Sequence, residues 1–154
     1  MGEGLSMTKT VTAARASKQS PRNSSLFSAL IGLTALAVLL QGLWAGIFLQ
    51  HDGHRDDAAE WIDVHAHGGE VAIGLAVAAT VVGLVWLRAR WDLWGGSALL
   101  AVLLVVEAYL GGLIRDDDKD ALTTVHVPLA MLIMALAVWL PVRSRRHLNG
   151  AGAV

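Results

Sequence analysis

Cysteine is absent from the 154-residue chain. Its absence excludes disulfides, thiolate zinc sites, iron–sulfur clusters and the C-x-x-C-H attachment of a covalent haem. Any metal or haem would have to be held by histidine, methionine or carboxylate. Also missing are a phosphate-binding glycine loop, a nucleophile elbow and an H-E-x-x-H pair. No reaction can therefore be read from motifs, and whether the chain is an enzyme stays open. Nothing points to nucleic acid as a partner. Charge is balanced, with a formal net value of -1.

What the chain does contain is apolar. Hydrophobic residues make up 55% and mean hydropathy is +0.53, too apolar for a soluble domain of this size, so the lipid bilayer is the expected solvent. Four apolar runs stand out at about 26–49, 64–87, 94–114 and 121–142. Each is close to the ~20 residues that cross ~30 Å of hydrocarbon as a helix. The first run is longer than the h-region of a signal peptide and no A-x-A site follows it, so it is expected to be a retained anchor. Residues 1–24 are polar without apolar periodicity and predict a disordered basic tail. Residues 25–142 form the four-span domain, and 143–154 a second basic tail.

Charge sets the expected orientation. Lys9, Arg15, Lys18 and Arg22 precede the first run, Arg88 and Arg90 follow the second, and Arg143, Arg145 and Arg146 follow the fourth. The other two connections, around 51–63 and 115–120, are rich in Asp and Glu and hold only Arg55, Arg115 and Lys119. An excess of Lys and Arg marks the cytoplasmic side, which places both termini there in the cell membrane. Trp86, Trp91, Trp94 and Trp139 fall near that interface and Trp61 near the other, as aromatic belts do. The fold expected is all-α, an up-down four-helix transmembrane bundle.

A repeat is visible inside it. Gln41-Gly42-Leu43-Trp44-Ala45-Gly46-Ile47-Phe48 aligns without gaps on Glu107-Ala108-Tyr109-Leu110-Gly111-Gly112-Leu113-Ile114. Spans two and four each carry histidine in their outer part. The chain reads as two helical hairpins in tandem, related by an axis along the membrane normal. The spacings Gly42/Gly46 and Ala108/Gly112 allow a helix or a flat ligand to approach the backbone closely.

Gln41, Glu70, Glu107 and His126 recur at similar depth, with His67 one turn above Glu70. Ionisable groups inside a span usually face the interior or a cavity. His67, Glu70, Val71 and Gly74 share one face of a helix, and His65 points roughly 160° away from His67 at 100° per residue. Facing histidines in a helix bundle are suited to ligating haem iron from both sides. In this reading His67 and His126 are the axial ligands of a b-type haem. Gln41, Glu70 and Glu107 are the polar groups around it, with Gln41 and Glu107 hydrogen-bonded to the histidines. Arg55, Arg115 or Lys119 would pair with propionates. Two other readings stay open: a polar pair between His126 and Glu107 with no cofactor, and a divalent metal in the outer segment from His51 to His67.

The same stretches, Gln41 to Gly46, Glu107 to Gly112, Val64-His65-Ala66-His67 and Thr124-Val125-His126-Val127-Pro128-Leu129, resemble one half of haem A synthase. The chain also resembles small four-span membrane proteins of actinobacteria with a histidine near the start of their second and fourth spans. The first resemblance covers about residues 26–142 and implies a four-helix haem-binding bundle with histidines on its second and fourth helices. That family has two such halves and a carboxylate shortly before its first histidine. Here Glu60 and Asp63 are only approximate counterparts, so the resemblance implies haem binding for electron transfer or haem handling rather than haem oxidation. A redox or membrane-complex partner would complete such a role. The alternative is a cofactor-free assembly or structural partner of a larger membrane complex.

Overall fold

The structure is a computed structural model that describes residues 21–51 and 54–150. It contains four long helices: α1 (Pro21–Leu49), α2 (Arg55–Trp86), α3 (Trp91–Asp116) and α4 (Thr123–Gly150). A short 3-10 turn, Asp120–Leu122, leads into α4, and the described residues include no strand. The helices run from 26 to 32 residues, or about 39–48 Å at 1.5 Å per residue. All four are long and apolar enough to cross a membrane, as an integral membrane protein requires.

The helices extend beyond the apolar runs. Helix α1 is described from Pro21 onward, so it reaches into the segment assigned to the tail. Helix α2 begins at Arg55, more than two turns before its apolar run. Asp56 and Asp57 stand in its first turn, where carboxylates favour the positive end of the helix dipole. Helix α4 runs on past Pro128 and Pro141 to Gly150. The tail residues 1–20 and 151–154 lie outside the described residues.

Short connections make consecutive helices antiparallel. Helix α1 packs on α2 and α4, and α3 packs on the same two, which leaves α1 diagonal to α3 and α2 diagonal to α4. One end of the bundle carries Arg22, Arg88, Arg90 and Arg143 and is called the basic end. The other carries Asp56, Asp57, Glu60, Asp63, Asp116, Asp117, Asp118 and Asp120 and is called the acidic end.

Packing is uneven along the bundle. Near the basic end Phe27, Ile31, Thr34 and Val38 of α1 are buried, as are Leu93, Ser97, Leu100 and Leu104 of α3. They meet Ala72, Ala76, Ala79 and Val82 of α2 and Ile133, Ala137 and Leu140 of α4. Toward the acidic end from Val38, Ala72, Leu104 and Ile133, the only fully buried residue described is Ala58, near the start of α2. Polar contacts fasten the basic end further. Asp92 accepts hydrogen bonds from Arg90 Nε and Nη2, both at 3.0 Å, and from Arg143 Nε of α4 at 3.1 Å. Ser28 and Ser144 join α1 to α4 through their hydroxyls at 3.0 Å.

Candidate functional site

The site lies in the half with few fully buried side chains, just beyond the core. Helix α2 turns a face of small residues inward. Ala58, His65, Ala72 and Ala79 succeed one another at seven-residue steps along it, a spacing that keeps side chains on one face of a packed helix. His65 therefore points into the bundle. Its Nδ1 lies 3.1 Å from the backbone carbonyl of Gln41 on α1, and its ring meets Phe48 edge-on at a centroid distance of 5.5 Å.

His126 approaches from α4, the helix diagonal to α2. The two imidazole centroids are 6.4 Å apart, with the ring planes at 61°. His126 is as far from the buried layer as His65 is: both lie two helical turns, about 10 Å, beyond it, measured from Ile133 and Ala72. The His126 Nδ1 lies 3.2 Å from Glu107 Oε1 on α3, and the two side chains are 19% and 13% exposed. Distance and alignment disagree for this pair. The atoms are within reach, yet both Glu107 oxygens and His126 Nδ1 are buried with no aligned hydrogen bond among the described residues. We take it as a close polar contact rather than a formed bond. Buried polar groups left in that state cost about 1–3 kcal/mol each.

His67, expected to be the inward ligand, is exposed. Its Nδ1 turns back to the Asp63 carbonyl one turn earlier, at 2.8 Å. Glu70, on the same side of α2, is exposed as well. The structure thus brings together His65, His126, Glu107 and the Gln41 carbonyl, and leaves His67 and Glu70 out. Gln41 contributes its backbone to His65. Its side-chain Nε2 contacts the Ala37 carbonyl at 3.5 Å. Arg115 is paired with Asp116 at 2.7 Å and lies 4.0 Å from Asp63, and Lys119 lies 3.6 Å from Asp117.

Glycines shape the walls unequally. At Gly68 the side chains of Gln41 and Trp44 fill the space a Cβ would need, which closes α2 against α1. At Gly111 an added Cβ would sit 3.4 Å from His126 Cε1, so α3 passes directly beside that ring. Gly42 and Gly46 lie on an exposed face with open space beside the backbone, and Gly112 is half-buried with nothing beside it. The described part of the His51–His67 segment forms no cluster of three or more metal-binding side chains, and Asp52 lies outside the described residues. Comparison with protein-family models, curated proteins and solved structures finds no match to this chain.

Proposed function

We propose that this chain is a multi-pass protein of the cell membrane, with both termini cytoplasmic, that holds one b-type haem near its outer face between His65 and His126. Its role is electron transfer or haem handling. The observation that carries the reading is the meeting of two imidazoles from diagonal helices. His65 Nδ1 is held by the Gln41 carbonyl, and His126 Nδ1 lies 3.2 Å from the Glu107 carboxylate, close but not aligned as a hydrogen bond. Among the described residues no hydrogen bond engages Nε2 of either ring. Imidazoles that ligate metal are usually fixed in this way, by an acceptor on the second ring nitrogen. Two imidazoles sharing one metal at bonds of ~2 Å have centroids roughly 6 Å apart, which fits the 6.4 Å separation.

Two further observations favour the site. The half of the bundle around it holds few fully buried side chains, whereas the other half holds nearly all of the core. The buried positions also repeat. Phe27, Ile31, Thr34 and Val38 stand at one constant offset from Leu93, Ser97, Leu100 and Leu104. At a second constant offset Ala72, Ala76 and Ala79 correspond to Ile133, Ala137 and Leu140, and the same offset carries His65 onto His126. That pattern supports a tandem repeat of hairpins with the two histidines as equivalent residues, placed on either side of the pseudo-two-fold axis. When bound, a bis-imidazole haem supplies one-electron iron chemistry. The chain's part is to orient the two rings and keep the ligand within helices that exclude water.

The test is spectroscopic. Purified protein titrated with haemin should give a saturable, six-coordinate low-spin spectrum. His65→Ala and His126→Ala should each abolish that spectrum, and His67→Ala should leave it intact. A wild-type protein that does not bind haemin, or a His65→Ala variant that keeps the low-spin spectrum, would overturn the proposal. A colourless bundle would leave the cofactor-free assembly role in its place.

A further inference from the structure

The two histidines are equivalent in position but not in their partners. His65 faces a neutral backbone carbonyl at 3.1 Å. His126 faces a carboxylate at 3.2 Å that comes from a third helix and is 13% exposed. Gln41 and Glu107 occupy matching places in the two hairpins. In both hairpins the main chain of that position comes within reach of the imidazole, and in the second a carboxylate also lies 3.2 Å from Nδ1. We infer that Glu107 is a positioning residue for His126: it fixes the proton on Nδ1, leaves Nε2 as the donor, and makes His126 the stronger of two unequal ligands. The inference rests on the haem reading for its redox consequence, but its structural half concerns this chain alone.

The physical argument has two steps. A neutral imidazole carries its proton on one nitrogen, and a carboxylate beside Nδ1 is the better acceptor for a proton held there. The two groups are 3.2 Å apart but not aligned, so the bond requires the ring or the carboxylate to turn. Once Nε2 binds a metal, a carboxylate on Nδ1–H raises the basicity of the ring, which favours the ferric over the ferrous iron and lowers the reduction potential. The Gln41 carbonyl does this less, because it carries no charge.

Two measurements test the inference. In protein without haem, nitrogen NMR of labelled histidine should show His126 protonated on Nδ1. Glu107→Gln and Glu107→Ala should shift that tautomer population while leaving His65 unchanged. In haem-loaded protein, Glu107→Gln should keep the low-spin spectrum and lower the preference for ferric iron about tenfold. For one electron that is a rise in potential of about 59 mV. If the wild type binds no haemin, the haem reading fails and the NMR result alone decides the role of Glu107. If the wild type binds haemin but neither the tautomer nor the potential responds to Glu107→Gln, the haem reading stands and this inference is refuted. A His126 protonated on Nε2 in the wild type also refutes it.

Discussion

Gly83 offers a direct measure of how tightly the basic half is packed. It is buried where α2 crosses α3. A Cβ added there would lie 2.7 Å from Trp94 Cβ and 3.1 Å from Trp94 Cα. The second of those atoms is backbone, so no side-chain rotation relieves the clash, and α3 must move by several tenths of an ångström. Gly74 is on the same helix, exposed, with open space beside it. Replacing either glycine by alanine gains the same intrinsic helix propensity, at most ~1 kcal/mol. In the difference between the two variants that gain cancels and the packing cost remains, about 1–3 kcal/mol for an overfilled contact. Gly83→Ala should therefore be less stable than Gly74→Ala by that amount. Reversible unfolding in mixed micelles, or thermal loss of the monomer band in detergent, can measure it. A Gly83→Ala protein as stable as Gly74→Ala would show that the α2–α3 contact yields freely and that the basic half is not tightly packed there.

Glu107→Gln should insert and fold nearly as the wild type does, whereas Glu107→Lys places an ammonium in a span at a cost of about 2.5–3.5 kcal/mol on insertion scales. Membrane-fraction yield separates them, and equal yields would mean that the side chain reaches water. The chain has no native cysteine, so topology can be mapped with single introduced thiols. Asp57→Cys and Asp117→Cys should react with an impermeant reagent in intact cells and Arg90→Cys should not; the reverse pattern would invert the proposed orientation. Asp92→Asn removes the shared acceptor of Arg90 and Arg143. Because Arg143 is 46% exposed, the loss should stay within about 1 kcal/mol in the same unfolding assay.

The number and class of helices were legible because the bilayer demands long apolar runs, and hydropathy reads those directly. The helix ends were less legible. Asp56 and Asp57 are polar residues in the first turn of α2, beyond its apolar run, and hydropathy does not register them. The closeness of Glu107 to His126 was also legible, since both are ionisable groups at the same depth and each lacks a reason to face lipid.

The inward histidine was misjudged, and the reason is physical. In water the buried face of a helix is the hydrophobic one, but in a bilayer the outer face is equally apolar. Val71, Val77, Val81 and Val85 are exposed on α2, while its buried face is alanine apart from Val82 and Gly83. Grouping His67 with Glu70 and Val71 therefore picked out the face turned away from the bundle. Depth along the sequence is a poor guide as well: measured from Arg88 and Arg143, His67 is closer than His65 to the level of His126, yet α4 continues to Gly150, well past Arg143, so those flanks do not mark a common plane. The buried layer does, and measured from Ala72 and Ile133 His65 and His126 lie level. The signal that identifies the inward residue was present: small residues at heptad spacing, Ala58, Ala72 and Ala79, with His65 in the same register. In membrane bundles small residues mark where helices touch. A polar residue that shares their register faces the interior, and one that shares the register of the valines does not.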